Sequence, residues 1–482
     1  MRADLVLVLD AGTGGGRAAI YDEYGERVAS AERRWHAIVP PALAPFGRKY
    51  DPDVLRAAID EVVLEALAYV DPERVAAIAC TGQRVACAFV DEAGEALYVG
   101  PNGDVRALAG AELDGLDDEV LYERTGRFPP WIFAPARLRW FEANAPVTFS
   151  SIRHVLGLPG WLAFEYTGVA GVDATLAADL MMLDVASRER APVDSRLPDD
   201  AWPALRAPQD TLGVLRPDVA ARLGLPTNTP VAVGCADTQA ALPFAGADTL
   251  VAGSSAPLLR SVDEPLRDPK RRLWLDPHLT PGRFCLEANL GEMGTGHRWL
   301  LNTLALESFE LFDELARQAP LGCRGASSHL GPRAMDLRDL NTGRPAALMM
   351  PFGETTLAAA PGRAELARSY LESCAYAALA GRTWLNAVSP AAEVMHLVGG
   401  LSRSAFFGDV LASVLETPVL RGPSDATARG AAACAMVAGE LASSFDDAVS
   451  RMRRAPVRHE PRDDYEDAYE RWLEREESLE EM

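Results

Sequence analysis

Short apolar runs separated by polar turns mark the start of the chain. Residues 5–9 are all apolar, residues 12–16 form a glycine-rich turn, and residues 18–21 are apolar again. Runs of this length bounded by glycine are typical of β-strands, so the pattern predicts a strand, a tight turn and a second strand. Apolar and polar residues alternate sufficiently over residues 27–37 to predict a third strand.

Helices and strands alternate along the rest of the chain. A helix is predicted from Pro52 to about Val70, with Asp51 as its N-cap and apolar residues at helical spacing at 55, 59, 62, 63, 66 and 67. Further helices are predicted at 119–126, 135–144, 158–167, 240–245, 293–306, 310–318, 364–388, 405–415 and 426–438, with two short ones within 197–223. Further strands are predicted at 75–79, 86–90, 231–234, 249–252, 393–397 and 419–420. The pattern indicates an α/β protein.

The opening arrangement recurs near the middle of the chain. Residues 231–259 again predict strand, small polar turn and strand, the last turn being Gly253-Ser254-Ser255. This repetition suggests two related halves with a boundary near Gly246. We therefore predict an N-terminal domain at 1–246, a C-terminal domain at 247–445 and an acidic helical tail at 446–482. The charge of the tail is expected to form a solvated face or a frayed end.

Composition narrows the functional classes. With 482 residues and 48% hydrophobic residues, the chain can form two or three domains. A net charge of −22 argues against nucleic acid or an anionic membrane as a partner. No apolar run suits a signal peptide or a membrane span. Seven scattered cysteines without a Cys-x-x-Cys pair predict reduced thiols in a cytoplasmic protein, and no zinc site is expected. The sequence does not decide whether the chain forms a homodimer.

The first turn offers candidate chemistry. Asp10 ends the first predicted strand, directly before a turn whose backbone amides carry almost no side chains. Such amides can hold an anion, and a carboxylate beside phosphate oxygens is what Mg²⁺ prefers. A glycine-rich hairpin that binds nothing fits the stretch equally well. The stretch lacks the Gly-Lys-Ser/Thr ending of a P-loop.

The motifs, taken in order over residues 4–440, resemble the FGGY family of carbohydrate kinases. The resemblance is carried by Asp10-x-Gly12-Thr13 with Arg17, Gly82-Gln83, Asp104-x-Arg106, Asp237-x-Gln239, Gly253-Ser254-Ser255, Gly294 to Trp299 and Gly399-Gly400-x-Ser402. It implies two ribonuclease H-like (actin-like ATPase) domains with a cleft between them. It also implies ATP-dependent phosphorylation of a hydroxyl of a small sugar or polyol.

The resemblance assigns roles to individual residues. Asp237 would be the catalytic base, and Asp10 would hold Mg²⁺ through water. The substrate would contact Gln83, Arg84, Asp104, Arg106, Asp237 and Gln239. ATP would be held by Gly12, Thr13, Gly14, Arg17, Gly253, Ser254, Ser255, Gly294, Gly296, Gly399, Gly400 and Ser402. Alternatives are an N-cap for Asp237, a loop-fixing salt bridge for Arg84, and a structural ion pair for Asp104 and Arg106.

The substrate is less well specified. The segment 35–53 and Asp276-Pro277-His278 resemble the autoinducer-2 kinase branch of the family, which suggests a linear pentose-like signal. Val85, however, stands where related members carry a glutamate that would hold a polyol hydroxyl. Kinases of xylulose, ribulose or glycerol type, and a catalytically weak ATP-binding switch of the actin-like type, remain alternatives.

Overall fold

The computed structural model describes residues 3–112, 116, 119–336, 344–351 and 360–481. Its strands are β1 (Leu5–Gly12), β2 (Gly15–Asp22), β3 (Arg27–Arg34), β4 (Val75–Gly82), β5 (Cys87–Val90), β6 (Ala96–Gly100), β7 (His154–Gly157), β8 (Thr211–Val214), β9 (Pro230–Ala232), β10 (Cys235–Ala236), β11 (Asp248–Val251), β12 (Pro257–Val262), β13 (Trp274–Pro277), β14 (Phe284–Asn289), β15 (Ser327–His329), β16 (Ala347–Met349), β17 (Met395–Val398), β18 (Val419–Arg421) and β19 (Val457–His459). Its helices are α1 (Pro52–Leu67), α2 (Glu119–Thr125), α3 (Ala134–Asn144), α4 (Pro146–Ser150), α5 (Leu158–Thr167), α6 (Ala174–Asp179), α7 (Pro217–Leu223), α8 (Asp237–Ala241), α9 (Met293–Thr303), α10 (Phe309–Ala316), α11 (Arg363–Asn386), α12 (Ala405–Val414), α13 (Ala426–Ala438), α14 (Phe445–Met452) and α15 (Glu466–Glu480).

The chain folds into two units that are discontinuous in sequence. The first unit comprises Met1–Phe244, Leu275–Arg283 and Thr427–Arg453. The second unit comprises Ala245–Trp274, Phe284–Ala426 and Arg454–Met482. The predicted domains were continuous segments, because a pattern along the chain cannot show that 275–283 and 427–453 return to the first half. Among the helices of the described residues, none has the length and apolar character that a membrane span requires.

The first unit is built on a mixed sheet in the order β3-β2-β1-β4-β9-β8. Strands β1, β2 and β3 are antiparallel neighbours, as three strands joined by short turns should be. Strand β4 lies parallel to β1, and helix α1 lies in the connection from β3 to β4. The carboxyl ends of β1 and β4 therefore share one edge of the sheet, where Asp10 pairs in register with Thr81.

Helix α1 shows why this half of the sequence folds as predicted. Asp51 caps it by accepting hydrogen bonds from the backbone amides of Asp53 and Val54 at 3.0 and 3.4 Å, and Pro52 occupies the first turn. Its buried residues are Leu55, Ile59, Val62, Val63, Ala66 and Leu67, which is the predicted apolar face. That face packs into the core formed with alternate residues of β1 and with α5.

The second unit repeats the same strand plan. Its main sheet includes the order β14-β12-β11-β17-β18-β19. Strands β14, β12 and β11 are antiparallel neighbours, and β17 and β18 follow in parallel. This is the arrangement of β3, β2, β1, β4 and β9 in the first unit. The α/β class and the repeated architecture expected from the sequence are confirmed.

Two stretches differ from the predicted elements. Residues 197–223 were expected to hold two helices, but only α7 is an α-helix there, and β8 forms because it pairs with β9. In the predicted helical tail, β19 pairs with β18 and precedes α15. One face of α15 is buried: Trp472 donates to the carbonyl of Ser328 at 3.2 Å, and Glu476 accepts from Arg344 at 2.6 Å. The part of the tail from Arg454 onward is therefore packed within the second unit and is not wholly solvated, whereas its first residues belong to the first unit.

Candidate active site

The hairpin between β1 and β2 has the tight glycine turn that the sequence predicted. Gly12 pairs with Gly15, and Thr13 and Gly14 form the exposed two-residue loop between them. Tyr50 fixes the loop from one side, because its hydroxyl donates to the carbonyl of Thr13 at 3.0 Å. The loop thus presents backbone to solvent in a defined position.

Asp10 and Arg17 face each other across this hairpin. They are direct register partners on β1 and β2. Burial raises the pKa of Asp10, and the positive charge of Arg17 acts against that rise. Arg17 also donates to Glu32 at 3.0 Å, which holds the guanidinium at the base of the loop.

Gln83 joins the ends of two strands. Its backbone amide donates to the carbonyl of Ala11 at 2.8 Å, and its side-chain amide donates to the hydroxyl of Tyr50 at 2.9 Å. Its side-chain oxygen accepts from the backbone amide of Asn102 at 3.2 Å. The side chain is buried, and its hydrogen bonds hold the end of β4 against the hairpin.

Asp237 begins helix α8 at the same edge, where β10 pairs with the end of β4. The N-cap position of this helix is Ala236, so Asp237 stands one residue inside the helix and is not its N-cap. Its carboxylate accepts from the backbone amide of Thr238 at 2.7 Å. Burial raises the pKa of Asp237 to about 7, with nearby Arg84 lowering it and nearby Asp10 raising it.

The side chains of Asp10 and Arg84 lie in the electrostatic neighbourhood of Asp237. Charges on Asp10 and Arg84 influence the Asp237 carboxylate, so the three side chains lie in one region of the first unit. Residues 10 and 237 are far apart in sequence, but Asp10 and Cys235, two residues before Asp237, are both register partners of Thr81 on β4. The structure brings together the predicted base, the predicted metal ligand and one predicted substrate contact.

Asp104 and Arg106 engage each other. Arg106 donates to Asp104 at 2.7 Å, and the backbone amide of Arg48 donates to the same carboxylate at 3.0 Å. The guanidinium carbon of Arg106 lies 4.4 Å from the ring centre of Tyr98 and 4.9 Å from that of Trp140. Both charged side chains are buried, with 0 and 4% of their side-chain surface exposed. This geometry favours the structural ion pair over the substrate contact.

Three of the predicted nucleotide residues of the second unit, Gly294, Gly399 and Gly400, approach one short stretch of backbone after β11. The amide of Gly294, in the first turn of α9, donates to the carbonyl of Gly253 at 2.9 Å. A Cβ on Gly294 would lie 2.4 Å from that oxygen, so only glycine permits the contact. The loop Gly253-Ser254-Ser255 and the start of α9 are therefore seated against each other.

The loop after β17 also lies close to the backbone after β11. Gly399 has a φ of 87°, and a Cβ there would lie 2.9 Å from the carbonyl of Ala252. Gly400 follows in the same loop, and the amide of Leu401 donates to that carbonyl at 3.2 Å. The hydroxyl of Ser402 donates to the carbonyl of Gly422 at 3.1 Å. Gly296 lies one turn along α9 beside Tyr370. Gly294, Gly399 and Gly400 thus lie against residues 252–253, whereas the contacts of Gly296 and Ser402 are with Tyr370 and Gly422.

A buried charged cluster lies beside Gln239, and sequence reasoning missed most of it. Asp276 accepts from Gln239 at 2.9 Å and from Arg127 at 2.6 Å. Arg127 also donates to Asp179 at 3.0 Å. No local pattern marks Arg127 or Asp179. Asp276 was noted only because the segment around it resembles one branch of the family. The contacts depend on the return of 275–283 to the first unit.

The comparisons with known proteins now decide the family. The FGGY N-terminal domain of carbohydrate kinases matches residues 5–243, and the FGGY C-terminal domain matches residues 249–439. The chain belongs to the FGGY family of carbohydrate kinases. The predicted resemblance, the α/β fold with two actin-like ATPase domains and the phosphotransferase activity are confirmed at the level of the family, whose members use ATP as phosphoryl donor and act on small sugars.

Individual FGGY relatives cover nearly the whole chain. An autoinducer-2 kinase from Klebsiella pneumoniae subsp. pneumoniae is 26% identical over 480 residues, covering 93% of this chain and 88% of that protein. The crystal structure of a xylulose kinase from Rhodospirillum rubrum aligns with a TM-score of 0.77 at 26% identity, covering 98% of this chain and 99% of that one. A gluconate kinase from Lactobacillus acidophilus aligns with a TM-score of 0.82 at 18% identity, covering 99% and 98%.

Proposed function

We propose that this FGGY kinase phosphorylates a hydroxyl of a linear five-carbon sugar derivative of the autoinducer-2 type, with Asp237 as the general base. The observation that carries the assignment of the base is the placement of Asp237, whose carboxylate shares one region with Asp10 and Arg84. The substrate class rests on the similarity to the autoinducer-2 kinases, which extends over most of both chains. The similar xylulose kinase makes a ketopentose the second candidate.

The chemistry asks little of the protein beyond positioning and charge. An acceptor hydroxyl hydrogen-bonded to Asp237 gives its proton to the carboxylate as its oxygen attacks the γ-phosphorus of ATP, and ADP leaves. Because burial raises the pKa of Asp237 to about 7, the group can accept a proton in the neutral range. Only the ionised form is a base, so turnover should rise with pH through about 7 and level off above it.

Arg84 and Asp10 have separate parts in this proposal. The side chain of Arg84 is 10% exposed and lies near both Asp237 and Asp276, so it can donate to an acceptor oxygen while keeping Asp237 ionised. Asp10 is the residue that fits a Mg²⁺ site. Its carboxylate ends β1 beside the bare loop of Thr13 and Gly14, and burial of its charge raises its pKa. A divalent cation there would offset that charge and neutralise phosphate oxygens.

We propose the cytoplasm as the compartment of this kinase, and the cysteines support the proposal. None of the seven forms a disulfide bond and all are buried, at positions 80, 87, 235, 285, 323, 374 and 434. Thiols that stay unpaired are usual in a reducing compartment. This supports the cytoplasm as the place where the kinase works.

The test is a panel of acceptors in an assay of ADP release by the wild-type chain. The panel contains the linear autoinducer-2 precursor, D-xylulose, L-ribulose, glycerol and gluconate, each with ATP and Mg²⁺. The proposal predicts the highest kcat/KM with the autoinducer-2 precursor. A clear preference for D-xylulose would support the second candidate. Absence of acceptor-dependent ADP release with every compound would overturn the assignment.

A further inference from the structure

Asp276 carries a carboxylate into the first unit from a distant part of the sequence. It lies on β13, in the segment Leu275–Arg283 that belongs to this unit, and its side chain has no exposed surface. One of its oxygens, Oδ1, receives hydrogen bonds from Arg127 at 2.6 Å and from Gln239 at 2.9 Å. Arg84 lies 3.8 Å from that same oxygen.

The other oxygen, Oδ2, has a different environment. It is buried and receives no hydrogen bond from any residue in the described parts of the chain, and the same is true of the side-chain oxygen Oε1 of Gln239. Both atoms are acceptors on side chains that touch each other. A buried acceptor left without a donor costs about 1–3 kcal/mol, and more for a charged group. Both acceptor atoms would therefore be stabilised by O–H or N–H donors.

These two acceptors are connected to the proposed base through Arg84. Gln239 is two residues after Asp237 on α8, and Arg84 acts on both Asp237 and Asp276. Val85, which follows Arg84, is buried and apolar, so it offers no polar side chain at this edge. A molecule whose hydroxyl reaches Asp237 has the Gln239 and Asp276 oxygens as the neighbouring acceptors.

We propose that Asp276, together with Gln239, binds a second hydroxyl of the acceptor, one that is not phosphorylated, and so selects polyhydroxylated substrates. This deepens the proposed function and rests on it. The second hydroxyl donates to Oδ2 of Asp276 or to Oε1 of Gln239, while Arg127 holds the carboxylate in place. Because Arg127 also pairs with Asp179, removing the charge of Asp276 leaves the guanidinium paired with a second carboxylate.

The test pairs a protein substitution with a substrate substitution. The wild type, Asp276→Asn and Asp179→Asn are compared in kcat/KM for the most active acceptor of the panel and for each of its monodeoxy analogues. Asp179→Asn is the matched control, because it removes one carboxylate from the same Arg127 without touching Gln239. The KM for ATP and the thermal unfolding midpoint confirm that each variant is folded.

The expected result is selective. In the wild type, one monodeoxy analogue should lose about 10²-fold or more in kcat/KM, as in sites built to hydrogen-bond a hydroxyl. In Asp276→Asn, the parent acceptor should fall to the level of that analogue, and the analogue itself should not fall further. Asp179→Asn should keep the wild-type ratio between the two compounds.

Two results would overturn the inference. One is an unchanged kcat/KM for the parent acceptor in Asp276→Asn. The other is an equal loss for the parent and every analogue, since that would show only that Asp276 supports the fold around Arg127. A wild-type chain that phosphorylates no acceptor overturns the proposed function, and this inference with it, so the two failures are distinguishable.

Discussion

Asp237 is a carboxylate whose surroundings oppose its own charge. Burial raises its pKa from 3.8 to about 7, although Arg84 acts in the opposite direction. A group in this state is suited to take a proton near neutral pH, but it makes the folded state less stable when it is ionised. Activity and stability therefore make opposite demands at this residue.

Asp237→Asn should stabilise the fold in a pH-dependent way. The folded-state pKa of Asp237 lies above its unfolded value, so the wild type loses stability as pH rises from about 4 through about 7. The variant keeps that stability as pH rises, because an asparagine does not ionise. The difference between their free energies of unfolding, measured by urea denaturation, should be larger at pH 8 than at pH 5 by at most about 3 kcal/mol, since about two pKa units of the shift lie above pH 5 at roughly 1.4 kcal/mol each.

The control for this stability measurement is Asp218→Asn, since Asp218 lies at the start of α7 with 56% of its side chain exposed. Its difference from the wild type should stay small between pH 5 and pH 8. A pH-independent difference for Asp237→Asn would contradict the perturbed pKa of Asp237.

The substitution Asp104→Ala distinguishes a structural ion pair from a substrate contact as the role of Asp104. Asp104 and Arg106 are both buried, so the substitution leaves a buried guanidinium without its carboxylate. Removing one partner of such a pair costs about 3–5 kcal/mol of stability. We expect a lower urea midpoint with an unchanged KM for the acceptor in the folded enzyme. Normal stability combined with a raised KM would instead restore the predicted substrate contact.

At the scale of elements, the nucleotide residues of the second unit depend on close backbone approach. The first turn of α9 meets the loop after β11 at Gly294, where a Cβ would lie 2.4 Å from the carbonyl oxygen of Gly253. A helix N-terminus held against a loop of small residues suits phosphate oxygens. The geometry of this contact should therefore control the affinity for ATP.

Gly294→Ala should raise the KM for ATP about tenfold or more, which corresponds to at least 1.4 kcal/mol of lost binding. The acceptor KM should not change, because the acceptor residues belong to the first unit. Gly160→Ala is the control: Gly160 lies within α5, and its added Cβ would be 3.6 Å from the nearest atom, which is ordinary contact. Equal effects of the two substitutions on ATP would contradict the role of the α9 turn.

Elements with strong local signals could be predicted from the sequence, and elements defined by a partner could not. Helix α5 begins with Pro159 in its first turn and ends at Gly168, whose φ is 72°, and its predicted bounds match the structure. Strand β8 was missed because its strand conformation comes from pairing with β9. Its own four residues carry no alternation that separates them from the helices expected there.

At the scale of the whole molecule, the repeated strand plan explains why much of the site could be predicted. Asp10 lies near the end of the first strand of one repeat and the Gly253 loop follows the first strand of the other, so a pattern along the chain found both. The cluster of Arg127 and Asp276 could not be found in this way. The two residues are 149 positions apart, and their contact exists only because 275–283 returns to the first unit.

The central claim is that the Asp237 carboxylate takes the proton of the acceptor hydroxyl. The most direct measurement is acceptor-dependent ADP release by Asp237→Asn beside the wild type, with ATP binding followed separately by calorimetry. We expect kcat to fall about 10²–10⁴-fold with ATP affinity retained. Wild-type turnover in the variant would contradict it.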